Sequence, residues 1–375
     1  MSPPKIPFAD LTLLNAPIKA DLLAVVERAL DTSGFIGGPM VSDFEKEFAS
    51  FVGARACSAV HSGTDALRLG LIAAGVGPGS IVYTVPNTFI ATAESIVQTG
   101  AEVRFVDVEP DTSLMSIELL ADSLKQHRHR PGKIDAVVPV HLYGQCAEMD
   151  GINALAQDHG LIVIEDAAQA HGSTYKDRNA GTLGLAAAFS FYPGKNLGAC
   201  GEGGAVTSDD AELCARVSML RDHGQVADAE HIYVGYNARL DAIQAGMLSV
   251  KLRNLPAWNA ERQGIALQYD RAFSGDRRIR SITIRRHNLS NRHLYVVHVP
   301  DRDRVMRTLQ ADRIGVSRHY PKPIHLQKCF DHLGHGKGSF PVSEKLATEL
   351  LSLPLFPGMT SVQIERVAEL LKGAL

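Results

Sequence analysis

Cysteine is scarce in this 375-residue sequence, and no two cysteines are spaced as in a redox or metal motif. There are five, with no CxxC pair among them, at Cys57, Cys146, Cys200, Cys214 and Cys329. Small secreted domains that depend on disulfides carry cysteine at much higher density. Scattered thiols fit a reducing compartment, so we expect a cytoplasmic protein. The site predicted below includes no metal.

Long apolar runs and long basic runs are also absent. No run approaches the ~20 apolar residues of a membrane-spanning helix, and residues 1–7 lack the apolar core of a signal peptide. The formal net charge is only −3, and the densest cationic stretch, residues 127–130, lies just before Pro131 and Gly132. That position predicts a solvated helix end, not a nucleic-acid-binding patch. We therefore expect no secretion, no membrane insertion and no nucleic-acid partner.

Short β-rich runs alternate with helical patterns through the first two-thirds of the chain. The predicted strands are Ile81–Thr84, Val103–Val106, Ala136–Val140 and Leu161–Ile164, and the predicted helices are Thr64–Ala74, Ile90–Thr99, Ile117–Lys125 and Gly151–Asp158. Such alternation is typical of an α/β fold with a mostly parallel sheet covered on both faces. Ligands of these sheets bind at the carboxyl ends of the strands.

The last third has a different pattern. A long helical pattern runs from Asp241 toward Tyr269 and is followed by candidate strands at 282–284 and 294–298 and helices at 302–311 and 362–371. We predict a large domain over residues 1–255 and a smaller C-terminal domain over residues 256–375.

Lys195 is the most informative residue of the chain. It follows the apolar run 185–189 and precedes the glycine-rich segment 200–204, while Asp166 ends another apolar run. Pyridoxal phosphate needs an amine to capture its aldehyde and an acid to keep its pyridine nitrogen protonated. Partial burial lowers the pKa of a lysine toward the reactive amine. A carboxylate 3–4 Å away contributes on the order of 4 kcal/mol at a dielectric near 20, or roughly three pKa units.

Further residues suit the rest of such a cofactor. Gly63 permits close approach of a phosphate to the start of a helix, where the amides of Thr64 and Asp65 would face the anion. Ser190 would add a hydroxyl. Phe89 would stack on the pyridine ring. Gln169, three residues after Asp166, would reach the ring hydroxyl. Each residue has an ordinary alternative: a turn lysine, a capping carboxylate or amide, an N-cap hydroxyl, or a core phenylalanine.

Taken together, these segments resemble the DegT/DnrJ/EryC1/StrS family of PLP-dependent sugar aminotransferases. The matching segments span nearly the whole chain and include residues 7–11, 37–39, 62–67, 86–93, 139–144, 165–172, 190–198, 201–204, 235–241, 319–325 and 351–354. The resemblance implies an aspartate-aminotransferase-like fold (fold type I), with a mostly parallel large-domain sheet and a smaller α+β domain. It also implies a homodimer with shared active sites.

By motif position, Lys195 is similar to the family's Schiff-base lysine and Asp166 to the partner of the pyridine nitrogen. Gln169 is similar to the contact of the ring hydroxyl, and Phe89 to the stacking aromatic. The phosphate cradle corresponds to Gly63, Thr64, Asp65 and Ser190, and Asn237 to the asparagine that reaches the neighbouring subunit's cofactor.

The resemblance implies transfer of an amino group from L-glutamate to a keto-sugar, usually linked to a nucleotide. His319, Tyr320 and His325 are the expected sugar contacts, and Arg239 would pair with a carboxylate or diphosphate. The alternative for His319, Tyr320 and His325 is an ordinary turn within the small domain. The alternative for Arg239 is a solvated charge on the surface. Family members with histidine at the lysine position perform dehydration, whereas this chain has Lys195. A sugar dehydratase, an amino-cyclitol aminotransferase and a non-catalytic PLP-binding regulator stay open as alternatives.

Overall fold

The computed structural model describes residues 4–128, 130–226 and 230–375. These residues form thirteen strands: β1 (Ala56–Val60), β2 (Ile81–Thr84), β3 (Glu102–Phe105), β4 (Ala136–Val137), β5 (Ile162–Asp166), β6 (Thr174–Tyr175), β7 (Arg178–Asn179), β8 (Ala186–Ser190), β9 (Gly204–Ser208), β10 (Arg280–Ser281), β11 (Asn288–Leu289), β12 (Tyr295–His298) and β13 (Leu350–Leu353). The α-helices of the same residues are α1 (Leu11–Asn15), α2 (Lys19–Thr32), α3 (Pro39–Val52), α4 (Gly63–Ala73), α5 (Ala91–Gln98), α6 (Ile117–Lys125), α7 (Met149–Asp158), α8 (Ala211–Arg221), α9 (Ala242–Leu252), α10 (Leu255–Phe273), α11 (Arg302–Ala311), α12 (Pro341–Glu349) and α13 (Ser361–Gly373).

A seven-stranded sheet organises the larger part of the chain. Its strand order is β1-β9-β8-β5-β4-β2-β3. β2, β3, β4, β5 and β8 pair in parallel, whereas β9 runs antiparallel to both β1 and β8. Separate apolar clusters cover the two faces of the sheet, as a parallel sheet requires. The predicted α/β class with a mostly parallel sheet is confirmed.

The sheet topology brings distant segments to one edge. β5 ends at Asp166 beside Ala188 of β8, and β8 ends at Ser190 opposite Gly204. Gly204 also lies opposite Val60, the last residue of β1. The loops that follow β1, β5 and β8 therefore leave the sheet side by side, which is where ligands bind in open α/β sheets.

The C-terminal third adds a smaller antiparallel sheet, β10-β12-β13, packed with α10, α11 and α13 around its own apolar cluster. Two sequence predictions were wrong in detail here. The strand expected at 282–284 is the two-residue β10, which ends at Ser281, and the long helical pattern is divided into α9 and α10. Pro256 lies in the first turn of α10, where proline is tolerated because its missing amide has no intrahelical acceptor. The domain boundary after residue 255 stays a prediction.

Two expectations about the surface can be compared with the structure. Among the described residues, no helix combines the length and apolarity needed to cross a membrane. In the cationic stretch, α6 ends at Lys125, but His127 is buried, with its Nδ1 3.1 Å from the hydroxyl of Tyr83. The prediction of a fully solvated helix end was therefore wrong for His127, while His129 lies outside the described residues.

Candidate active site

Lys195 lies in the turn that follows β8, where the backbone amide of Lys195 donates to the carbonyl of Tyr192 at 2.8 Å. Burial lowers the pKa of its amine to about 8, although the nearby carboxylate of Asp166 opposes this shift. A lysine with a pKa of about 8 has an appreciable neutral fraction at physiological pH and can act as a nucleophile or base.

Asp166 ends β5 and is only 8% exposed. Its Oδ2 accepts a hydrogen bond from the hydroxyl of Thr92 at 2.7 Å, and its Oδ1 accepts one from the amide of Ala168 at 3.2 Å. The single hydroxyl hydrogen of Thr92 is used by Asp166, so Thr88, whose Oγ1 is 3.1 Å away, donates to Thr92. Sequence reasoning missed both threonines, although Thr88 and Thr92 lie in the matching segment 86–93.

Within the described residues Asp166 makes no ion pair within 4 Å. Its two hydrogen bonds come from neutral donors. A buried carboxylate without a cation in direct contact is costly, and a protonated pyridine nitrogen would supply that contact. This supports the fit of the site to pyridoxal phosphate.

Gln169, Tyr320 and Phe89 lie together on one side of the cleft that contains Lys195 and Asp166. Gln169 Nε2 is 3.2 Å from the hydroxyl of Tyr320, and its Oε1 accepts from the amide of Tyr143 at 2.7 Å. The rings of Phe89 and Tyr320 are 5.7 Å apart, and Phe89 is 55% exposed. The exposed ring of Phe89 is thus free of the core packing that was its alternative.

His319 precedes Tyr320 and is held by several contacts. The hydroxyl of Tyr143 donates to its carbonyl, its Nδ1 is 2.8 Å from the hydroxyl of Ser352, and its ring stacks on Phe8. Burial, together with the positive charge of Lys195, lowers the pKa of His319 to about 4. His319 is therefore neutral at physiological pH.

The predicted phosphate cradle is assembled where β1 and β8 end. Ser62 caps α4 by accepting from the amide of Asp65 at 3.1 Å, so this amide is already used. The amides of Gly63 and Thr64 precede the first helical hydrogen bond and are the natural donors for an anion. A Cβ on Gly63 would lie 2.5 Å from the Cβ of Ser190. Only glycine lets the hydroxyl of Ser190 approach the helix start so closely.

Asn237 and Arg239 lie on a different feature, a hairpin whose described residues are 222–226 and 230–239. Asp222 and Asn237 form a bridge, and Arg239 is ion-paired with Asp222. The amide of His61 donates to the carbonyl of Ala238 at 2.8 Å, which fixes the base of the hairpin beside the start of α4. Asn237 is exposed. Arg239 already has a carboxylate partner in Asp222.

The structure does not bring His325 to the cleft. Its side chain is fully buried, its Nε2 donates to Glu344 at 3.1 Å, and its ring lies 4.7 Å from that of Phe340. The amide of Ile324 donates to the carbonyl of Pro86 at 2.9 Å, so this segment supports the loop that leads to Phe89.

Sequence reasoning also missed the buried polar residues behind Lys195. His171 is fully buried against Phe189 and Phe191, and burial near the lysine charge lowers its pKa to about 3. Asn196 and His293 are hydrogen bonded to each other at 3.0 Å. His171 and Asn196 both occur in the matching segments, but nothing in the sequence showed that they would be buried near the amine.

Fold and site together define a fold type I pyridoxal-phosphate-dependent transferase. The family model for the DegT/DnrJ/EryC1/StrS aminotransferase family matches residues 17–372. The chain belongs to this family.

Two curated relatives cover almost the whole chain. A dTDP-3-amino-3,4,6-trideoxy-alpha-D-glucose transaminase from Streptomyces venezuelae is 38% identical, over 98% of this chain and 95% of its own length. A UDP-2-acetamido-2-deoxy-3-oxo-D-glucuronate aminotransferase from Pseudomonas aeruginosa is also 38% identical, over 96% of this chain and 98% of its own.

Solved structures agree with the fold and the cofactor. DesV from S. venezuelae is 37% identical and superposes with a TM-score of 0.94, with 99% of each chain covered. NtdA from Bacillus subtilis, solved with bound cofactor PMP, is 29% identical with a TM-score of 0.86, covering 95% of this chain and 81% of its own. PMP is the aminated form of pyridoxal phosphate. The predicted family, fold class and cofactor are confirmed.

Proposed function

We propose that this protein transfers an amino group from L-glutamate to the 3-keto group of a nucleotide-linked sugar. The observation that carries the proposal is the partly buried Lys195, whose amine has a pKa of about 8 and lies near the carboxylate of Asp166. The names of both relatives place nitrogen or a keto group at carbon 3 of a dTDP- or UDP-linked sugar, which supports this substrate class.

Pyridoxal phosphate, when bound, supplies an aldehyde that captures amines and a ring that withdraws electrons. Asp166 would hold the proton on the ring nitrogen, while Thr92 and the amide of Ala168 keep its carboxylate oriented. Lys195 would move a proton between the substrate carbon and the aldehyde carbon of the cofactor, since a pKa of about 8 suits a general base near neutral pH.

The remaining cleft residues would bind and orient. The amides of Gly63 and Thr64, with the hydroxyl of Ser190, would hold the phosphate. Gln169, whose amide is fixed between Tyr143 and Tyr320, would contact the ring hydroxyl.

Phe89 would cover one face of the pyridine ring. We assign His319 and Tyr320 to the sugar side of the cleft, next to Phe89. Arg239 would contact substrate only by sharing its guanidinium with Asp222. His325 would act indirectly, since its contacts lie within the protein interior.

We also propose a homodimer with shared sites. The hairpin that carries Asn237 exposes apolar side chains, with Val234 97% exposed and Ile232 and Tyr233 about half exposed at 50% and 44%. Apolar groups in this number are unusual on a monomer surface. Burial of the hairpin against a second copy would bring the exposed Asn237 to that copy's phosphate cradle. The free thiols of all five cysteines support a cytoplasmic location.

The test is to incubate the PLP-loaded protein with L-glutamate and a dTDP- or UDP-linked 3-keto sugar. We expect equimolar 2-oxoglutarate and amino sugar, detected by mass spectrometry. Lys195→Ala should abolish both products. Lys176→Ala, at an exposed lysine paired with Asp150, should leave both unchanged.

Other products would contradict the proposal in distinct ways. A sugar that loses its hydroxyl without gaining nitrogen indicates a dehydratase. Turnover of a keto-cyclitol alone indicates a cyclitol aminotransferase. A yellow protein whose absorbance does not respond to glutamate indicates a non-catalytic regulator.

A further inference from the structure

Asn196, the residue after Lys195, is buried within a network of polar side chains. Its Nδ2 donates to Oδ1 of Asn259 at 2.8 Å and to the carbonyl of Asn291 at 3.0 Å. Its Oδ1 is 3.0 Å from Nδ1 of His293. The amide of Asn196 thus joins the lysine loop to α10 and to the segment before β12.

The same network holds the loop that follows Asp166. Nδ2 of Asn259 donates to the carbonyl of His171 at 2.9 Å. Nδ2 of Asn291 donates to the carbonyls of Gln169 at 3.0 Å and His171 at 3.1 Å. Asn259 and Asn291 are therefore shared between the lysine loop and the aspartate loop.

We propose that Asn196 is a positioning residue that fixes the amine of Lys195 relative to the carboxylate of Asp166. The inference rests on the function proposed above, in which these two groups act on one cofactor. The side chain of Asn196 anchors the loop to the protein interior, so its loss would let the neighbouring amine move. A displacement of about 1 Å in such a site can reduce a rate about 100-fold.

The protonation states around the amine make such a movement measurable. Both hydrogens of Asn196 Nδ2 are donated, so its Oδ1 accepts and His293 carries its hydrogen on Nδ1. Burial lowers the pKa of His293 well below its usual value, and it lowers those of His171 and His319 to about 3 and 4. Near neutral pH all three histidines are uncharged.

Asp166 therefore remains the charged group that acts on the amine. A change in the distance between Asp166 and Lys195 alters the pKa of Lys195. That pKa can be measured without any cofactor or substrate.

The experiment compares Asn196→Ala with Asn153→Ala in the full chain freed of cofactor. Asn153 donates its amide to the carbonyl of Leu183 at 2.9 Å and lies outside the network. The rate of Lys195 acylation by an amine-reactive reagent is followed against pH by peptide mass spectrometry. We expect the midpoint to shift by about half a unit or more in Asn196→Ala only. In the PLP-loaded enzyme kcat should fall about tenfold to 100-fold, with KM changed less than about threefold.

An Asn196→Ala protein with the wild-type midpoint would overturn the proposal, and so would one with the wild-type kcat. If this variant does not fold, Asn259→Ala decides with the same two measurements, because it removes the acceptor of Asn196 on α10 and the donor to the carbonyl of His171, and it changes no residue of the lysine loop. The acylation profile separates this inference from the proposed function. A wild-type protein without turnover refutes the function, while the profile still tests the role of Asn196.

Discussion

Replacement of Asp166 by asparagine removes the negative charge from the cleft and keeps the shape of the side chain. The amide oxygen can still accept a hydrogen bond from the hydroxyl of Thr92, whose Oγ1 lies 2.7 Å from Oδ2 of Asp166. At 3–4 Å and an effective dielectric near 20, the lost attraction to a protonated ring nitrogen is on the order of 4 kcal/mol. We therefore expect kcat/KM for amino transfer to fall about 1,000-fold. The free energy of unfolding should fall by about 1–3 kcal/mol, because the amide of Ala168 loses its acceptor.

The same substitution has a second effect that needs no cofactor. The carboxylate of Asp166 raises the pKa of Lys195 against the effect of burial, and the balance is about 8. Without the charge, burial acts alone and the pKa of Lys195 falls below 8. At pH 7.5 a larger fraction of the amine is then neutral, so acylation of Lys195 in the cofactor-free protein becomes faster.

The assay pairs coupled detection of 2-oxoglutarate with the pH profile of Lys195 acylation. Asp150→Asn is the matched control, since this exposed carboxylate pairs with Lys176 far from the cleft. A folded Asp166→Asn protein that retains more than about a third of wild-type turnover would refute the assigned role. So would a profile of Lys195 that is identical to the wild-type profile.

Three further predictions concern stability, cofactor retention and assembly. Glu165→Ala should lower the free energy of unfolding by about 3–5 kcal/mol in urea titrations, because Glu165 is fully buried and accepts from His141 and three backbone amides. Gly63→Ala should cost about 1–3 kcal/mol through its clash with Ser190 and raise the Kd for pyridoxal phosphate, measured by absorbance titration. Val234→Asp should convert the proposed dimer to a folded monomer in sedimentation experiments, because Val234 is 97% exposed and makes little contact within its own chain.

Each of these predictions has a control within the chain. Glu165→Gln keeps the volume and should cost less than the alanine variant. Gly264→Ala adds a Cβ in open space and should leave Kd unchanged. Val362→Asp alters an equally apolar side chain, 73% exposed on α13, and should leave the assembly intact. Equal effects of a variant and its control would contradict the corresponding prediction.

The sequence alone located the reactive centre because its residues lie in contiguous motifs that directly follow strands. Lys195 and Asp166 could be assigned from the apolar runs before them and the chemistry they share. Their supports could not: Thr92 is 74 positions from Asp166, and Asn196 is 63 positions from Asn259. Such pairs form only when distant helices and loops pack together, and no local pattern encodes that packing.

Local patterns also misled where side-chain direction mattered. His325 shares a segment with His319 and Tyr320, yet it faces the interior and pairs with Glu344. The helical pattern after Asp241 was predicted as one long pattern, although Pro256 marks the start of α10. Spacing gives the type of element, whereas the direction of a residue in a loop depends on what packs around it.

Neighbouring carboxylates on β5 have opposite surroundings, and this constrains how the chain can vary. Successive residues of a strand face opposite ways, so Glu165 is enclosed by His141 and the turn at 181–184 while Asp166 faces the cleft. Insertion or deletion of one residue within β5 would exchange their places. Length variation in homologues or grafts is more tolerable at the exposed turn between β6 and β7, residues 176–177. It is not tolerable between the start of β5 and Asp166. There the alternation of side chains along the strand decides which carboxylate faces the ligand.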